Sequence, residues 1–350
     1  MHERRVTNHK GHRHMSRIHI AIALLLFSAC GPKDPEWTTL KGEAQGTTFT
    51  ISYLDTLGRD LSSPVDSLFR VIDHSLSLWD SASTVTRFNA AADSFTTADR
   101  HFQVVLALSR QQWMATEGAF DPTVLPLVRA WGLGKEGRAA LDTAAVDSLM
   151  RCVGMPRLRV PDSWELSNDD GALTFRKSAP CVQFDPNGIA QGYTVDMLAL
   201  LLGQRDIEHF MVEVGGEVRA SGSNPRGEPW AIQIDKPVDG DAHVQQTVVT
   251  LNDGSLATSG NYRKFIEVNG KRYGHTIDPR AGRPAMSDLL SASVIADDCA
   301  TADALGTALM VMGTEGAKKW LSTRPEVQGY LISDDGKGGY AVWMTEGWPK

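Results

Sequence analysis

The stretch Phe210-Met-Val-Glu-Val-Gly-Gly-Glu-Val-Arg-Ala220 indicates which kind of fold this chain adopts. Apolar and polar residues alternate from Phe210 to Val214, which is the period of a strand with one buried face. The pair Gly215-Gly216 follows, and Val218 to Ala220 resumes the alternation as the second arm of a hairpin. Strands joined so tightly pair antiparallel. We therefore expect an antiparallel sheet around this hairpin.

Other segments extend the same pattern along the chain. Asn269-Gly270, between two alternating runs, is the strongest short-range hairpin signal in the sequence, and Asp335-Gly336 marks a further hairpin. Strands are predicted at residues 47–53, 230–234, 247–251, 264–268, 272–277 and 291–296. One helix is predicted to begin at Ser63-Pro64 with Ser63 as its N-cap, a second near Asp99, and a third with Thr143 as its cap. Further helices are predicted to cover residues 188–202, 300–311 and 315–321. Helices dominate the first half and hairpins the second, which predicts an α+β fold of antiparallel sheets with packed helices.

Length and composition are those of an ordinary soluble globular protein. The chain has 350 residues, enough for one large domain or two small ones, and a formal net charge of −7. This charge argues against a nucleic-acid-binding surface. It also means that a bound pyrophosphate would need a cation, since the protein's own charge repels the ligand. No linker-like segment follows Glu36, so residues 37–350 are expected to form one catalytic unit.

The N-terminal segment is typical of an export signal. A basic stretch precedes the apolar run from Ile18 to Phe27, which is too short to span a membrane. Small residues then lead to Cys30, as in the lipobox of a bacterial lipoprotein. We predict a signal peptide at residues 1–29, lipidation of Cys30 and a tether at residues 30–36. The alternative is a buried apolar helix with a chance cysteine.

Three cysteines remain in the expected mature chain: Cys152, Cys181 and Cys299. None has the Cys-x-x-Cys spacing of a zinc or redox site, and an odd number leaves at least one free thiol. Separate buried thiols are the favoured interpretation. A bridge between Cys152 and Cys181 stays open as the alternative.

Asp303 and Thr307 stand one turn apart on the same face of a predicted helix. Their carboxylate and hydroxyl would offer two hard oxygens to one Mg²⁺ ion. The flanking residues are apolar, and a buried aspartate is costly without a partner or a metal. An aspartate satisfied by backbone donors would explain the same pattern, and the helix alone does not separate the two interpretations.

Three glycine-containing loops hold further candidates. Residues 185–193 resemble a loop that opens a helix, where glycines and the helix N-terminus suit a phosphate; a plain helix start is the alternative. In residues 118–123, a phenylalanine and an aspartate could contact a flat heterocycle, or simply form a turn. In residues 274–282, His275 could act as a base near neutral pH, or be a structural histidine beside Asp278 and Arg280.

Several common catalytic motifs are absent from the sequence. There is no Gly-x-Gly-x-x-Gly after a strand, no Walker loop, no His-Glu-x-x-His and no Gly-x-Ser-x-Gly. The sequence therefore gives no support to a Rossmann dehydrogenase, a P-loop enzyme, a zinc protease of that type or an α/β-hydrolase.

Taken in order, the candidate segments resemble one family, the ApbE-like flavin transferases, also called FAD:protein FMN transferases. The matching segments lie at residues 46–49, 78–89, 118–123, 185–196, 213–222, 255–260, 275–282 and 302–309. Each motif is moderately specific, but their common order over nearly all of the mature chain is highly specific. The resemblance implies an ApbE-like, T-fold-like architecture.

The resemblance also implies a role for each matching position. The family's contacts to FAD fall on Gln45, Trp79, Ala119, Phe120, Asp121, Asp185, Gln191 and Ile277. Its Mg²⁺ ligands fall on the Gly188 carbonyl, Asp303 and Thr307, and its histidine that assists the acceptor hydroxyl falls on His275. Asp303 and His275 are thus the implied catalytic pair.

Three of these positions depart from the common family pattern. Gln45 stands where the family often has methionine, and Gln191 stands where it has lysine or glutamate. Gln191 carries no charge, which puts a direct ion pair with phosphate in doubt. Trp79 replaces a common tyrosine but keeps a flat stacking surface.

The function implied by the resemblance is Mg²⁺-dependent transfer of FMN from FAD to a threonine hydroxyl of an acceptor protein, with release of AMP. The implied acceptor is a flavoprotein subunit of a membrane electron-transfer complex, and the lipid anchor would hold the enzyme at the periplasmic face of the bacterial inner membrane. Two alternatives stay open: hydrolysis of FAD to FMN and AMP, and FAD binding by a non-enzymatic lipoprotein. The Asp303–Thr307 pair argues against the last, since binding alone needs no metal at the pyrophosphate.

Overall fold

The computed structural model describes residues 36–132, 141–161, 171–238, 244–261, 265–268, 271–274 and 276–349. Its helices are α1 (Ser62–Leu76), α2 (Thr84–Ala90), α3 (Arg100–Ala115), α4 (Leu125–Ala130), α5 (Thr143–Met150), α6 (Ala190–Gly203) and α7 (Cys299–Leu321). Its strands are β1 (Glu36–Ala44), β2 (Thr47–Asp55), β3 (Ser94–Thr97), β4 (Leu158–Arg159), β5 (Leu173–Lys177), β6 (Phe210–Val214), β7 (Glu217–Ser221), β8 (Trp230–Asp235), β9 (Gln245–Leu251), β10 (Gly254–Gly260), β11 (Phe265–Val268), β12 (Lys271–Gly274), β13 (Ile277–Asp278), β14 (Arg283–Pro284), β15 (Leu289–Ala296), β16 (Gln328–Asp334) and β17 (Tyr340–Met344).

The main sheet contains eight antiparallel strands in the order β1-β2-β6-β7-β10-β15-β16-β17. The hairpin predicted around Gly215-Gly216 lies inside it, with Phe210 opposite Ser221 and Val214 opposite Glu217. Beyond this sheet, β3, β4 and β5 form a three-stranded sheet and β8 pairs with β9. The expected α+β fold with antiparallel sheets is therefore confirmed.

The expected tether and the arms of one predicted hairpin both belong to strands of the structure. Glu36, the last residue of the expected tether, pairs with Asp55 and is the first residue of β1. The arms of the predicted Asn269-Gly270 hairpin pair antiparallel as β11 and β12. The two turn residues themselves lie outside the described part of the chain.

Side chains cap the starts of four described helices, α2, α3, α5 and α7. The predicted start of α3 near Asp99 is confirmed, and the Asp99 side chain accepts a backbone N–H from the first turn of this helix. The cap of α5 is Asp142 and not the predicted Thr143, which is the first helical residue. Helix α1 begins at Ser62 without any side-chain cap, so the predicted Ser63-Pro64 start is close but its capping role is wrong.

Helices α6 and α7 also differ slightly from prediction. Helix α6 begins at Ala190, because residues Pro186–Ile189 form a turn before it. The two helices predicted at 300–311 and 315–321 are the two arms of α7, separated at Gly313. Gly313 has φ of +71°, a left-handed conformation that breaks the helical path and favours glycine.

Helix α7 is buried on both sides, between two hydrophobic cores. One face, with Ala302, Leu305 and Leu309, packs against the main sheet. The opposite face, with Ala304 and Ala308, packs against a core built from α1, α2, α3 and β5. Small alanines allow close packing on this second side, where Phe88, Phe102, Phe175 and Phe184 form the aromatic centre. Asp303, on the same part of α7, is therefore held away from solvent, whereas Thr307 is only partly buried.

Helix α6 approaches the start of α7 very closely at Gly192. A Cβ atom at this position would lie 2.3 Å from the backbone carbonyl oxygen of Cys299, so only glycine fits. Beside it, the Asp196 carboxylate accepts the backbone N–H groups of Cys299 and Ala300, both at 2.9 Å. These bonds satisfy N–H groups at the N-terminus of α7 and fix its first turn against α6.

Cys152 and Cys181 form a disulfide bond, which overturns the favoured interpretation of separate thiols. The pairing of β4 with β5 brings the two segments together, with a Cα–Cα distance of 5.3 Å. Spacing along the chain gave no sign of this pairing, because the cysteines meet only through the three-stranded sheet. Cys299 remains a free, buried thiol at the start of α7.

Candidate active site

The two segments expected to hold a metal ion meet at α7. A Cβ atom on Gly188 would lie 3.3 Å from Thr307 Oγ1, so the loop before α6 directly contacts this face of the helix. One turn earlier, Asp303 Oδ2 accepts the backbone N–H of Gly192 at 3.1 Å. Gly188, Asp303 and Thr307 therefore line one small region, although the first is far from the other two in sequence.

Asp303 is buried, and burial raises its pKa to about 7. The N–H of Gly192 opposes this rise by favouring the charged form, while the negative charge of Asp196 adds to it. The sequence also allowed an aspartate that is satisfied by backbone donors. The structure shows one such donor, the N–H of Gly192. A single neutral donor compensates poorly for a buried carboxylate. A bound cation would stabilise the charged form of Asp303.

Glu217 is a residue of this region that the sequence did not single out. It is the first residue of β7, directly after the Gly215-Gly216 turn. Its Oε2 atom is buried and has no hydrogen-bond partner. Burial raises the pKa of Glu217 well above its ordinary value, and the negative charge of Asp303 raises it further. An acid directly after a tight glycine turn was the available signal, but it is a weak one.

The turn at residues 118–123 lies against the same loop. Ala119 and Phe120 are buried, and the Phe120 ring is 3.2 Å from the position that a Gly188 Cβ would occupy. Asp121 accepts the N–H and the hydroxyl of Thr123 through Oδ1, and the N–H of Met155 through Oδ2. Its carboxylate therefore anchors this turn to the segment that follows Cys152.

Asp185 ties the same turn to the loop before α6. Its N–H donates to the carbonyl oxygen of Pro122 at 2.7 Å, and its Oδ1 accepts the N–H of Asn187 at 3.0 Å. Burial raises the pKa of Asp185 to about 6, against the opposing effects of the Asn187 bond and of the Arg129 charge. The three stretches with Asp121, Asp185 and Gly188 form one connected wall.

Two glutamines connect hairpin turns of the main sheet to α6. Gln45, in the β1–β2 turn with φ of +54°, donates from Nε2 to Thr194 Oγ1 at 3.1 Å. Gln191 donates from Nε2 to the carbonyl oxygen of Val214 at 3.0 Å and packs directly against Gly215. In this structure Gln191 therefore holds the turn that precedes Glu217.

The remaining predicted positions lie on other elements. Trp79 is 75% exposed in the loop between α1 and α2. Ile277 is buried in a small cluster with Leu127 and Val153. His275 lies outside the described residues. The structure thus brings most of the predicted positions together around α6 and α7, but does not tie Trp79 or Ile277 to Asp303.

Comparison with known proteins gives this arrangement a context. A sequence model described as the ApbE family matches residues 45–331. The chain belongs to the ApbE family. It is similar to the FAD:protein FMN transferase of Vibrio cholerae, with 35% identity over 329 residues, covering 92% of this chain and 96% of the relative. It is also similar to the enzyme of the same name from Haemophilus influenzae, with 33% identity, covering 89% and 91% of the two chains.

Solved structures of the ApbE family share the fold. The flavin transferase ApbE from Vibrio cholerae matches with a TM-score of 0.76 and 32% identity, over 89% of this chain and 98% of that one. The apo form of Pseudomonas stutzeri flavinyl transferase ApbE matches with a TM-score of 0.78 and 29% identity, over 90% and 96% of the two chains. The family resemblance inferred from the sequence motifs is therefore confirmed.

Two negative observations concern the described part of this ApbE-family chain. It contains no group of three or more His, Cys, Asp or Glu side chains arranged to hold a metal ion. None of its helices is long and apolar enough to cross a membrane. A metal ion at Asp303 would accordingly rely on a mixed set of carboxylate, hydroxyl and carbonyl oxygens, which suits Mg²⁺.

Proposed function

We propose that this protein transfers the FMN half of FAD to a threonine hydroxyl of a second protein and releases AMP. Relatives that carry the name FAD:protein FMN transferase support this, because the similarity extends over nearly their whole length. The observation that carries the proposal is the meeting of Gly188, Asp303 and Thr307 beside the buried Phe120. That region offers oxygens for a cation next to an apolar wall.

The described residues fit a divalent cation. Asp303 is a buried carboxylate with one neutral donor, Thr307 supplies a hydroxyl one turn later, and the Gly188 backbone packs against Thr307. The protein's net charge of −7 would otherwise repel a pyrophosphate. A Mg²⁺ ion held there would supply positive charge to the pyrophosphate. We assign the ion to these three residues.

The protein's own groups would hold FAD and direct the acceptor. In the proposed complex Phe120 and Trp79 offer flat surfaces for stacking, and Gln45, Ala119, Asp121, Asp185, Gln191 and Ile277 complete the FAD site. The acceptor oxygen forms a bond to the FMN phosphorus, and the bond from that phosphorus to the bridging oxygen breaks, with its electron pair leaving on AMP. His275 is the proposed acceptor of the hydroxyl proton.

The proposed location is the periplasmic face of the inner membrane. In this proposal residues 1–29 are a signal peptide that is removed, and lipidated Cys30 anchors the chain through a short tether. The Cys152–Cys181 bond supports the proposal, since disulfides persist in oxidising compartments such as the periplasm. A flavin-bearing subunit of a membrane electron-transfer complex is the proposed acceptor, because the anchor would hold the enzyme beside it.

The experiment is a transfer assay with purified protein, FAD, Mg²⁺ and such an acceptor subunit. We expect covalent flavin fluorescence on the acceptor after denaturing electrophoresis, and none on an acceptor whose target threonine is replaced by valine. Chelation of Mg²⁺ should abolish the signal. Release of FMN and AMP at the same rate with and without acceptor, with no labelled protein, would instead identify the activity as hydrolysis. Tight FAD binding without turnover would identify a binding protein.

A further inference from the structure

Among the described residues, Glu217 is the acidic residue with a buried side-chain oxygen that lacks a hydrogen-bond partner. The residue as a whole is partly exposed, but its carboxyl group is buried and Oε2 has no hydrogen-bond partner. Leaving such an atom unpaired costs about 1–3 kcal/mol, and more for a charged group. A buried oxygen without a partner, in the region of the proposed active site, indicates that a bound group pairs with it.

In the part of the chain that the structure describes, no basic side chain pairs with Glu217 or Asp303. The nearest arginine on the same strand, Arg219, is engaged with Asp196 at 3.1 Å and with the carbonyl oxygen of Asp297 at 2.7 Å. Glu213 and Asp303 both add negative charge around Glu217. The groups that face Glu217 from β6 and α7 are therefore acidic.

The position of Glu217 is fixed by elements of the site itself. Gln191, on the first turn of α6, holds the carbonyl oxygen of Val214 and fills the space against Gly215. Cys299, at the start of α7, is oriented towards the carbonyl oxygen of Val218 at 3.6 Å. The residues before and after Glu217 are thus attached to α6 and α7, which carry the other members of the site.

We infer that Glu217 is a further acidic group of the cation site, with its carboxylate directed at the ion held by Asp303 and Thr307. This inference rests on the proposed function and adds one residue to it. A second carboxylate facing the ion strengthens binding through charge and by ordering the ligands and water around it. Removal of such a supporting group typically costs roughly 10- to 100-fold in metal affinity.

The test is cation binding by the complete chain carrying Glu217→Gln, with Glu213→Gln as the matched control. Glu213 lies on the same hairpin, but its Oε1 accepts the N–H of Gly216 and so has a partner of its own. The probe is Mn²⁺, whose free concentration is read by electron paramagnetic resonance, and thermal unfolding without metal reports on folding. We expect the Mn²⁺ dissociation constant to rise roughly 10-fold or more for Glu217→Gln. Glu213→Gln should stay close to the unchanged protein.

The outcomes separate this inference from the proposed function. If Glu217→Gln binds Mn²⁺ as tightly as the unchanged protein while Asp303→Ala does not bind it, the role of Glu217 is refuted and the metal site stands. If the unchanged protein binds no Mn²⁺ with or without FAD, or if Asp303→Ala binds it normally, the metal assignment itself fails. Equal losses in Glu217→Gln and Glu213→Gln would show a general effect of charge and would also overturn the specific role.

Discussion

Replacement of Asp185 by asparagine should stabilise the protein at neutral pH while removing a proposed FAD contact. Burial raises the pKa of Asp185 from 3.8 to about 6, which means that the fold penalises its charged form. The sign follows from proton linkage: the native state holds the proton more tightly, so stability is lost as pH rises from below 3.8 through about 6. The difference between these two pKa values corresponds to a loss of about 3 kcal/mol in the free energy of unfolding above pH 6.

Asparagine is a close match to the neutral form of the side chain. It keeps an oxygen that can accept the N–H of Asn187, and its shape leaves the bond from the Asp185 N–H to Pro122 intact. Since asparagine does not titrate, the variant avoids the whole penalty. The group is buried, so little of the effect is screened by solvent. We expect the variant to be more stable by about 3 kcal/mol at neutral pH and by less than about 1 kcal/mol near pH 4.

The assay is urea unfolding of the Asp185→Asn variant and of the unchanged protein, without FAD or metal, followed by tryptophan fluorescence at both pH values. Other groups titrate equally in the two proteins, so the difference between them isolates Asp185. A stability difference that does not change between the two pH values would refute the reasoning. So would a variant that is less stable at neutral pH, since the aspartate would then be favourable when charged.

Three further outcomes are expected. Gly192→Ala should lower stability by about 1–3 kcal/mol and weaken Mg²⁺ binding, because its Cβ would lie 2.3 Å from a backbone carbonyl of α7. The control is Gly203→Ala on the same helix, where an added Cβ would meet no atom within 4 Å. Equal melting temperatures for the two variants would contradict the packing argument. Replacing Cys152 and Cys181 by serine should cost about 3–4 kcal/mol for a bridge that closes 29 residues, measured by urea unfolding, and an unchanged midpoint would count against the bond. Asp303→Asn should abolish both flavin transfer and the rise in melting temperature that Mg²⁺ causes. Its stability without metal should not fall, since the amide oxygen still accepts the N–H of Gly192. A full rise in melting temperature with Mg²⁺ in this variant would rule out the metal assignment.

The sequence by itself determined the local parts of this protein. The two-residue period on both sides of Gly215-Gly216 gave the central hairpin, because alternate side chains of a strand face opposite sides of a sheet. The spacing of Asp303 and Thr307 placed both on one helical face, since 3.6 residues make one turn. The order of short motifs identified the family. The hairpin and helix signals each operate within a few residues, and the family signal is a series of motifs that are themselves short.

Only the tertiary structure decided which of these parts meet. No local pattern shows that Gly188 contacts Thr307, that Cys152 joins Cys181, or that Glu217 lies close enough to Asp303 for their charges to interact. The positions of Gly188 and Glu217 depend on how the helices pack on the main sheet, whereas the disulfide depends on the pairing of β4 with β5. The close approach at Gly192 and the capping of α7 by Asp196 set that packing. Periodicity records which face of an element is buried, but it does not record which other element buries it.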